Sequence, residues 1–219
     1  MPDSVMRVDP AALPFVLLAA VPVAIAAVVA PLVVTVILLV LPVAVALFFR
    51  DPDRTIPAAP DLVLSPADGK VMYAGPARVA EAPAGTWLQV TVFLSLLDVH
   101  INRTPVGGRV VTINHVPGAF LAAFREDAHR NEHSEIWLDH DGVSIVVRQV
   151  VGLLARRVVT RLTPGQTLRA GERIGLMKFG SRMDVFLPTS ATLAVSEGDR
   201  VVAGETVIAR LAGPVHERT

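Results

Sequence analysis

The residues able to do chemistry fall in a few short stretches. In "GLMKFGSRMDVFLP" (175–188) an apolar run is broken by Gly180-Ser181, charges follow, and Val185, Phe186 and Leu187 resume the apolar character. A serine hydroxyl there is a nucleophile if a base stands nearby and a turn residue otherwise; no G-x-S-x-G elbow surrounds it. Asp68 in "SPADGK" and His100 in "LLDVHINR" each end an apolar run, where a strand delivers a polar side chain to a rim. Aspartate, histidine and serine brought together can deprotonate a hydroxyl. Asp68 precedes Gly69 and is equally a turn residue. Lys178 in "LMKFG" is the competing site, an attachment lysine of the biotin or lipoyl type. His129 and His133, with Glu126 and Glu132 nearby, have the spacing of a helical metal pair and equally that of a solvated face. His115 in "TINHVPG" ends a strand or lines a pocket, while His140 and His216 carry no signal. The chain has no cysteine, which removes disulfides, thiolate metal sites and cysteine nucleophiles and fits folding in a reducing compartment.

The elements that must position these residues read as short strands. From Val63 onward, β-type runs such as "TWLQVTVFLS" and "GGRVVTINHV" alternate with turn residues, and Asp141-Gly142 between two runs marks a hairpin. "PGAFLAAFREDAHRN" has Phe120, Leu121, Phe124 and Ala128 at helical spacing, which predicts one short amphipathic helix or a mobile loop. Near the C-terminus, "TPGQTLRAGERIGL" and "SEGDRVVAGETVIA" align Gly165 on Gly198 and Gly171 on Gly204. Such units are typical of hairpins in lipoyl- and biotinyl-like sandwiches, where each glycine takes a turn conformation closed to other residues. The expected fold is mainly β with minor helix, a lipoyl/biotinyl-like β-sandwich or barrel-type domain over residues 50–219.

Residues 1–49 differ. Hydrophobic residues make up 52% of the chain and mean hydropathy is +0.53, an excess concentrated between Ala11 and Phe49, where no residue is charged. One helix over that run would be about 60 Å long, twice a hydrocarbon core, so two short apolar helices broken at Pro31 are expected, spanning or re-entrant. The run is too long for a cleaved signal peptide, and no polar cleavage region follows its first half. Arg50 and Arg54 close behind it predict that the remainder lies in the cytoplasm, and Arg7 agrees with a hairpin whose ends share a side. Lys plus Arg and Asp plus Glu both total 20, so no global field recruits nucleic acid.

Taken as a set, "FFRDPDR", "SPADGKV", "DVHINR", "VGLLARRVV", "GERIGLMKFGSRMD" and the apolar N-terminus resemble phosphatidylserine decarboxylases of the short prokaryotic form, in order from about Phe48 to Pro188. The resemblance implies a proenzyme that cuts itself between Gly180 and Ser181. Ser181 would become a covalent pyruvoyl group, which forms a Schiff base with the amine of phosphatidylserine and accepts the electrons left by carbon dioxide. The product would be phosphatidylethanolamine, with no metal or diffusible cofactor. It also implies two chains that remain together as a heterodimer at the cell membrane, with the catalytic domain on the cytoplasmic side. Asp68 maps onto the family's A-D-G aspartate. His100 is the base in the D-x-H segment; where longer members carry a second histidine this chain has Arg103. Arg103 and His115 are candidates on the substrate side, His115 is the reserve base, and Arg50, Arg54 or Arg103 would meet lipid phosphate or carboxylate. The alternatives are the same chemistry on an archaetidylserine-like lipid and a non-enzymatic lipoyl-like carrier with Ser181 inert.

Overall fold

The computed structural model describes residues 7–78, 82–153, 158–177 and 180–212. The chain forms two compact units, Met1–Asp53 and Arg54–Thr219.

In the first unit, helix α1 (Leu13–Val29) packs on α2 (Leu32–Leu38) and α3 (Val40–Phe48). The break falls at Ala30-Pro31, where both residues are extended; proline has no N–H to continue a helix. Only Pro10–Val29 is long and apolar enough to cross a membrane, among the described residues. Strands β1 (Arg7–Val8) and β2 (Arg50–Asp51) pair antiparallel, Arg7 opposite Asp51, so the two ends of the apolar hairpin lie together.

The second unit is mainly β. Its strands are β3 (Leu62–Leu64), β4 (Gly69–Pro76), β5 (Trp87–Leu94), β6 (Ile101–Arg103), β7 (Gly108–Val116), β8 (His133–His140), β9 (Val143–Val150), β10 (Val159–Thr160), β11 (Thr167–Leu168), β12 (Arg173–Leu176), β13 (Ser181–Pro188), β14 (Thr192–Leu193), β15 (Arg200–Val201) and β16 (Val207–Arg210). A curled eight-stranded antiparallel sheet has the order β11-β7-β8-β9-β13-β5-β4-β15. Two small sheets, β10-β12-β6 and β14-β16-β3, complete the unit. Alternation along the central strands sends Val90, Val92, Ile145, Val147, Met183, Val185 and Leu187 into one core.

This order is palindromic. Strands β6 to β12 form one half, and β3 to β5 with β13 to β16 form the other, related by a pseudo-two-fold between β9 and β13. The hydrogen bonds repeat with it. The Leu64 N–H donates to the Pro105 carbonyl (2.8 Å) and the Arg103 N–H to the Pro66 carbonyl (2.9 Å). Ser65 and Thr104 hydroxyls each donate 2.7 Å to a carbonyl two residues on. Gly198 and Gly165 donate to Val71 and Val110, which lie at matching places beside a bulge in β4 and β7. "SPADG" and "TPVGG" are thus equivalent segments, a repeat deeper than the one visible near the C-terminus. Of that visible repeat, Gly165, Gly198, Gly171 and Gly204 all have φ between +73° and +99°, the left-handed region that favours glycine.

One expected element is different. Residues 117–131 hold no α-helix; they run irregularly into a short 3-10 turn (Glu126–Arg130). The cause is Asn131, whose amide accepts from the Leu121 N–H (2.8 Å) and donates to the Leu121 carbonyl (2.7 Å) and the Val151 carbonyl (2.8 Å). Those side-chain bonds replace the helical ones and staple the loop to the end of β9.

His133 follows, buried, with Nδ1 2.9 Å from the Asn131 carbonyl. Burial holds its imidazole below the ordinary value of about 6.5, with the nearby Arg148 charge adding to the effect. The unfolded chain therefore takes up this proton first as pH falls. Stability should be complete above about pH 6.5 and decline as pH drops toward the depressed native value. Thermal unfolding as a function of pH should show that decline, and His133→Gln should flatten it; an unchanged slope would show that another group is responsible.

Candidate active site

The chain passes between the two halves twice, from β5 to β6 through residues 95–100 and from β12, ending at Leu176, to β13, starting at Ser181. His100 lies on the first crossing and Gly180-Ser181 on the second. By register, Leu94 opposite Ser181 is the counterpart of His140 opposite Val143, which the Asp141-Gly142 hairpin joins in the other half. The candidate site therefore occupies the position of a hairpin turn, opened to admit two crossings.

Ser181 starts β13, which lies between β5 and β9, and it is fully buried. Its strand is fixed from both faces. On the core side Met183 and Val185 pack with Val92 and Val90. On the other side Arg182 makes a two-pronged ion pair with Asp184 (2.8 and 3.0 Å), Thr91 Oγ1 donates to Asp184 (2.7 Å), and Gln89 donates to Thr91 (3.1 Å). Arg182 and Asp184 are almost wholly buried.

His100 is also wholly buried. Its Nδ1 lies 2.9 Å from the Asp98 carbonyl, which can only accept, so Nδ1 carries the proton. Nε2 then presents a lone pair, and the Gly180 N–H donates to it at 3.4 Å. Gly180 has φ +74°. A Cβ at 180 would meet nothing within 4 Å, so glycine is required there by backbone conformation and not by crowding. The crowding lies across the site: a Cβ on Gly152 would fall 1.8 Å from the Gly180 carbonyl oxygen and 3.6 Å from the Ala123 methyl. Gly152 thus lets the carbonyl lie against bare backbone, and Asn131 ties the residue before it to the 121 loop. The sequence offered one signal of this, a glycine directly after a buried run ending in Val150 and Val151, and that signal alone does not name its neighbour.

Asp68 is held elsewhere. Its hydrogen bonds, among the described residues, come from Arg54 (2.8 and 3.0 Å) and the Ala203 N–H (2.8 Å), while the orienting position on His100 Nδ1 is taken by the Asp98 carbonyl. Arg103 is buried and donates to the Gly171 carbonyl (3.0 Å). It lines an open cleft of about 610 Å³ with Arg169 and Arg173. His115 is largely exposed on β7, 3.6 Å from Glu132. His129 belongs to the 3-10 turn and His133 to β8, so they share no helix face. No group of three or more His, Asp and Glu gathers as a metal site among the described residues. Lys178 and His216 lie outside the described residues.

Residues 43–209 match the model of the family described as phosphatidylserine decarboxylase. The chain belongs to the phosphatidylserine decarboxylase family. A phosphatidylserine decarboxylase proenzyme of Symbiobacterium thermophilum is 49% identical over 166 residues, 75% of this chain and 77% of that protein. Proteins of the same name from Solibacter usitatus and Geotalea daltonii are each 45% identical, over 74% and 78% of this chain and 76% and 80% of their own length. Membership makes this chain a carboxy-lyase, and the match spans Asp68, His100, Gly152, Gly180 and Ser181.

The buried Arg182–Asp184 pair fixes the strand that begins with Ser181. Asp184→Ala would leave the Arg182 charge without its carboxylate, at a cost of about 3–5 kcal/mol in urea unfolding; a loss below about 1 kcal/mol would show that the pair does not hold β13.

Proposed function

We propose that this chain is a self-processing phosphatidylserine decarboxylase of the cell membrane, which cuts its own Gly180–Ser181 peptide and works from a pyruvoyl group made of Ser181. One arrangement carries the reading. A buried serine opens a central strand, behind a left-handed glycine whose carbonyl abuts Gly152 and whose N–H faces the lone pair of His100 Nε2. The membrane-length helix Pro10–Val29 and the Arg50 and Arg54 flank support attachment with the catalytic unit on the cytoplasmic side.

In the self-processing reaction Ser181 Oγ attacks the Gly180 carbonyl carbon. The new C–O bond replaces the C–N bond, and the hydroxyl proton passes to the Ser181 nitrogen by way of His100 Nε2. Loss of the α-proton of residue 181 then breaks its Cβ–O bond and frees the Gly180 carboxylate. Water finally displaces the nitrogen as ammonia. The left-handed turn, which glycine adopts without strain, sets the direction of the Gly180 carbonyl, and Gly152 restricts how that carbonyl can tilt. Asp68, tied to Arg54 and to the Ala203 N–H, supports the site electrostatically from the equivalent of Gly107 in the other half.

The residues present fit a pyruvoyl group: the position is buried, and the Gly180 side has no neighbour within 4 Å of where a side chain would start. When bound, the group supplies an electron sink for the pair left as carbon dioxide departs. His100 Nε2 would return a proton to the substrate α-carbon. Arg103, in its arginine-lined cleft, is the candidate for a lipid phosphate or carboxylate, with His115 a more distant second. The cut would not separate the chains. The C-terminal piece begins with β13, which pairs along its length with β5 and also with β9, and it carries β15 and β16, paired to β4 and β3.

Denaturing electrophoresis of variants tests the reading. Ser181→Ala should remain one uncut, inactive chain; full activity there would end the proposal. His100→Ala should slow cleavage by about 10²–10⁴-fold and His115→Ala far less, and the opposite order would transfer the base role. Gly152→Ala should block cleavage in a protein that still folds, whereas Gly180→Ala, with room for its methyl, should cost only about 1–2 kcal/mol of backbone strain. Normal cleavage in Gly152→Ala would show that the carbonyl's resting place is unimportant.

A further inference from the structure

The pseudo-two-fold pairs positions of one half with positions of the other, and at four of them the residues differ together in kind. Counting from Val143 opposite His140 and Ser181 opposite Leu94, Gln149 corresponds to Leu187, and Ser134, which lies opposite Gln149, corresponds to Leu88. Asn102 corresponds to Val63 and Thr160 to Leu193, because Thr160 and Asn102 flank Gly175 as Leu193 and Val63 flank Ala209. Val63 and Leu187 belong to the hydrophobic core, and Leu88 and Leu193 pack against it. One layer of the sandwich is thus apolar in one half and polar in the other.

The four polar side chains bond to one another. The Thr160 hydroxyl lies 3.3 Å from the Ser134 hydroxyl and donates to Gln149 Oε1 (2.8 Å), and Gln149 Nε2 donates to Asn102 Oδ1 (2.8 Å). Gly175 keeps this line open, since a Cβ there would fall 2.9 Å from Gln149 Nε2. The line ends on Asn102 Nδ2, which has no hydrogen-bond partner among the described residues, although Asn102 and Gln149 are completely buried. The other half fills the same layer with hydrocarbon, so folding does not account for a buried donor left open here. Its place ties it to the site. Gln149 is opposite Met183, on the face of the sheet that Ser181 shares and one step along from Ser181. His100 and Asn102 lie on one side of their strand, because the Met177 N–H extends the β6–β12 ladder to the His100 carbonyl.

We propose that Asn102 is a substrate-binding residue whose Nδ2–H receives the carboxylate of the serine headgroup, with Gln149 and Thr160 holding the amide in place. This deepens the proposed function and rests on it for the identity of the substrate. In a serine headgroup the amine and the carboxylate share one carbon, so an amine brought to residue 181 carries the carboxylate with it, while the phosphate stands further off. The arginine-lined cleft at Arg103, next in the chain and on the other side of the strand, remains for the phosphate. The donor is closed to solvent while the 180–181 peptide is whole, and the cut is what would open a way to it. Its neutrality suits a carboxylate that must leave as carbon dioxide: one amide hydrogen bond orients the group, where a cation would hold the ground state about twice as strongly.

The other half of the fold supplies the variant. Asn102→Val with Gln149→Leu copies Val63 and Leu187 into the polar layer and leaves Thr160 its Ser134 partner. The full chain carrying both changes should keep or raise its urea midpoint and should cut itself as completely as the wild type on denaturing electrophoresis. Its KM for phosphatidylserine in mixed detergent micelles should rise about ten- to hundredfold, with kcat changed less than about threefold. Phosphatidylethanolamine, which lacks the carboxylate, should inhibit variant and wild type equally. Asn102→Asp, of the same shape with the donor replaced by an acceptor, should raise KM at pH 8 at least as far. An unchanged KM in both variants overturns the proposal, and so does a fall confined to kcat. Slowed cutting in the double variant would give the amide to the Gly180 carbonyl instead, and loss of cooperative unfolding would make the layer structural; either result overturns it. A wild type that stays uncut yet decarboxylates phosphatidylserine contradicts the self-processing reading, while the KM comparison still judges Asn102.

Discussion

The structure depends on one constraint, that the peptide joining residues 180 and 181 has nowhere else to be. Its carbonyl oxygen rests where a side chain on Gly152 would stand, the N–H of Gly180 reaches His100 Nε2, and Ser181 is already committed to the first rung of a central strand. The left-handed conformation of Gly180 is what lets the chain make all three connections at once. In the proposed self-cleavage, holding the Ser181 hydroxyl, the Gly180 carbonyl and His100 at one place would convert an improbable encounter into a local one.

That constraint grows out of the fold's pseudo-symmetry. Each half supplies the same hairpin ladder, the same Pro-centred crossing and the same pair of left-handed glycines, and the core is continuous across the β9–β13 seam. The candidate site lies where the halves differ. The Asp141-Gly142 hairpin of one half is replaced in the other by two crossings, one carrying His100 and one ending at Ser181. Gly107 of one half is Asp68 in the other, tied to Arg54. A β-sandwich is stable enough to keep such a position buried, because the strands on either side of Ser181 are pinned by core packing on one face and the Arg182–Asp184–Thr91 network on the other.

Much of this was legible in the sequence. The apolar N-terminus with its break at Pro31, the Asp141-Gly142 turn and the glycines of the C-terminal repeat follow from local chemistry, because proline, aspartate-glycine pairs and left-handed glycines act through their own backbones. The mainly β domain followed from strand-length apolar runs. What escaped was whatever depends on distant partners. The 117–131 segment has helical spacing, yet Asn131 satisfies its backbone from ten residues away. Gly152 looks like any glycine after a strand until the Gly180 carbonyl is brought against it. The "SPADG" and "TPVGG" equivalence shares too few residues to be seen without its reciprocal hydrogen bonds. The partners of the two polar candidates were equally out of reach of the sequence: Asp68 bonds to Arg54 and the Ala203 N–H, and His100 Nδ1 to the Asp98 carbonyl.

The most direct test of the central claim is the intact mass of the purified, active protein under denaturing conditions. The account predicts two polypeptides whose boundary falls between Gly180 and Ser181, the smaller lighter than a serine-initiated chain by one ammonia and lacking a reactive amino terminus. A single polypeptide of full mass, active and still carrying its serine at 181, would contradict it.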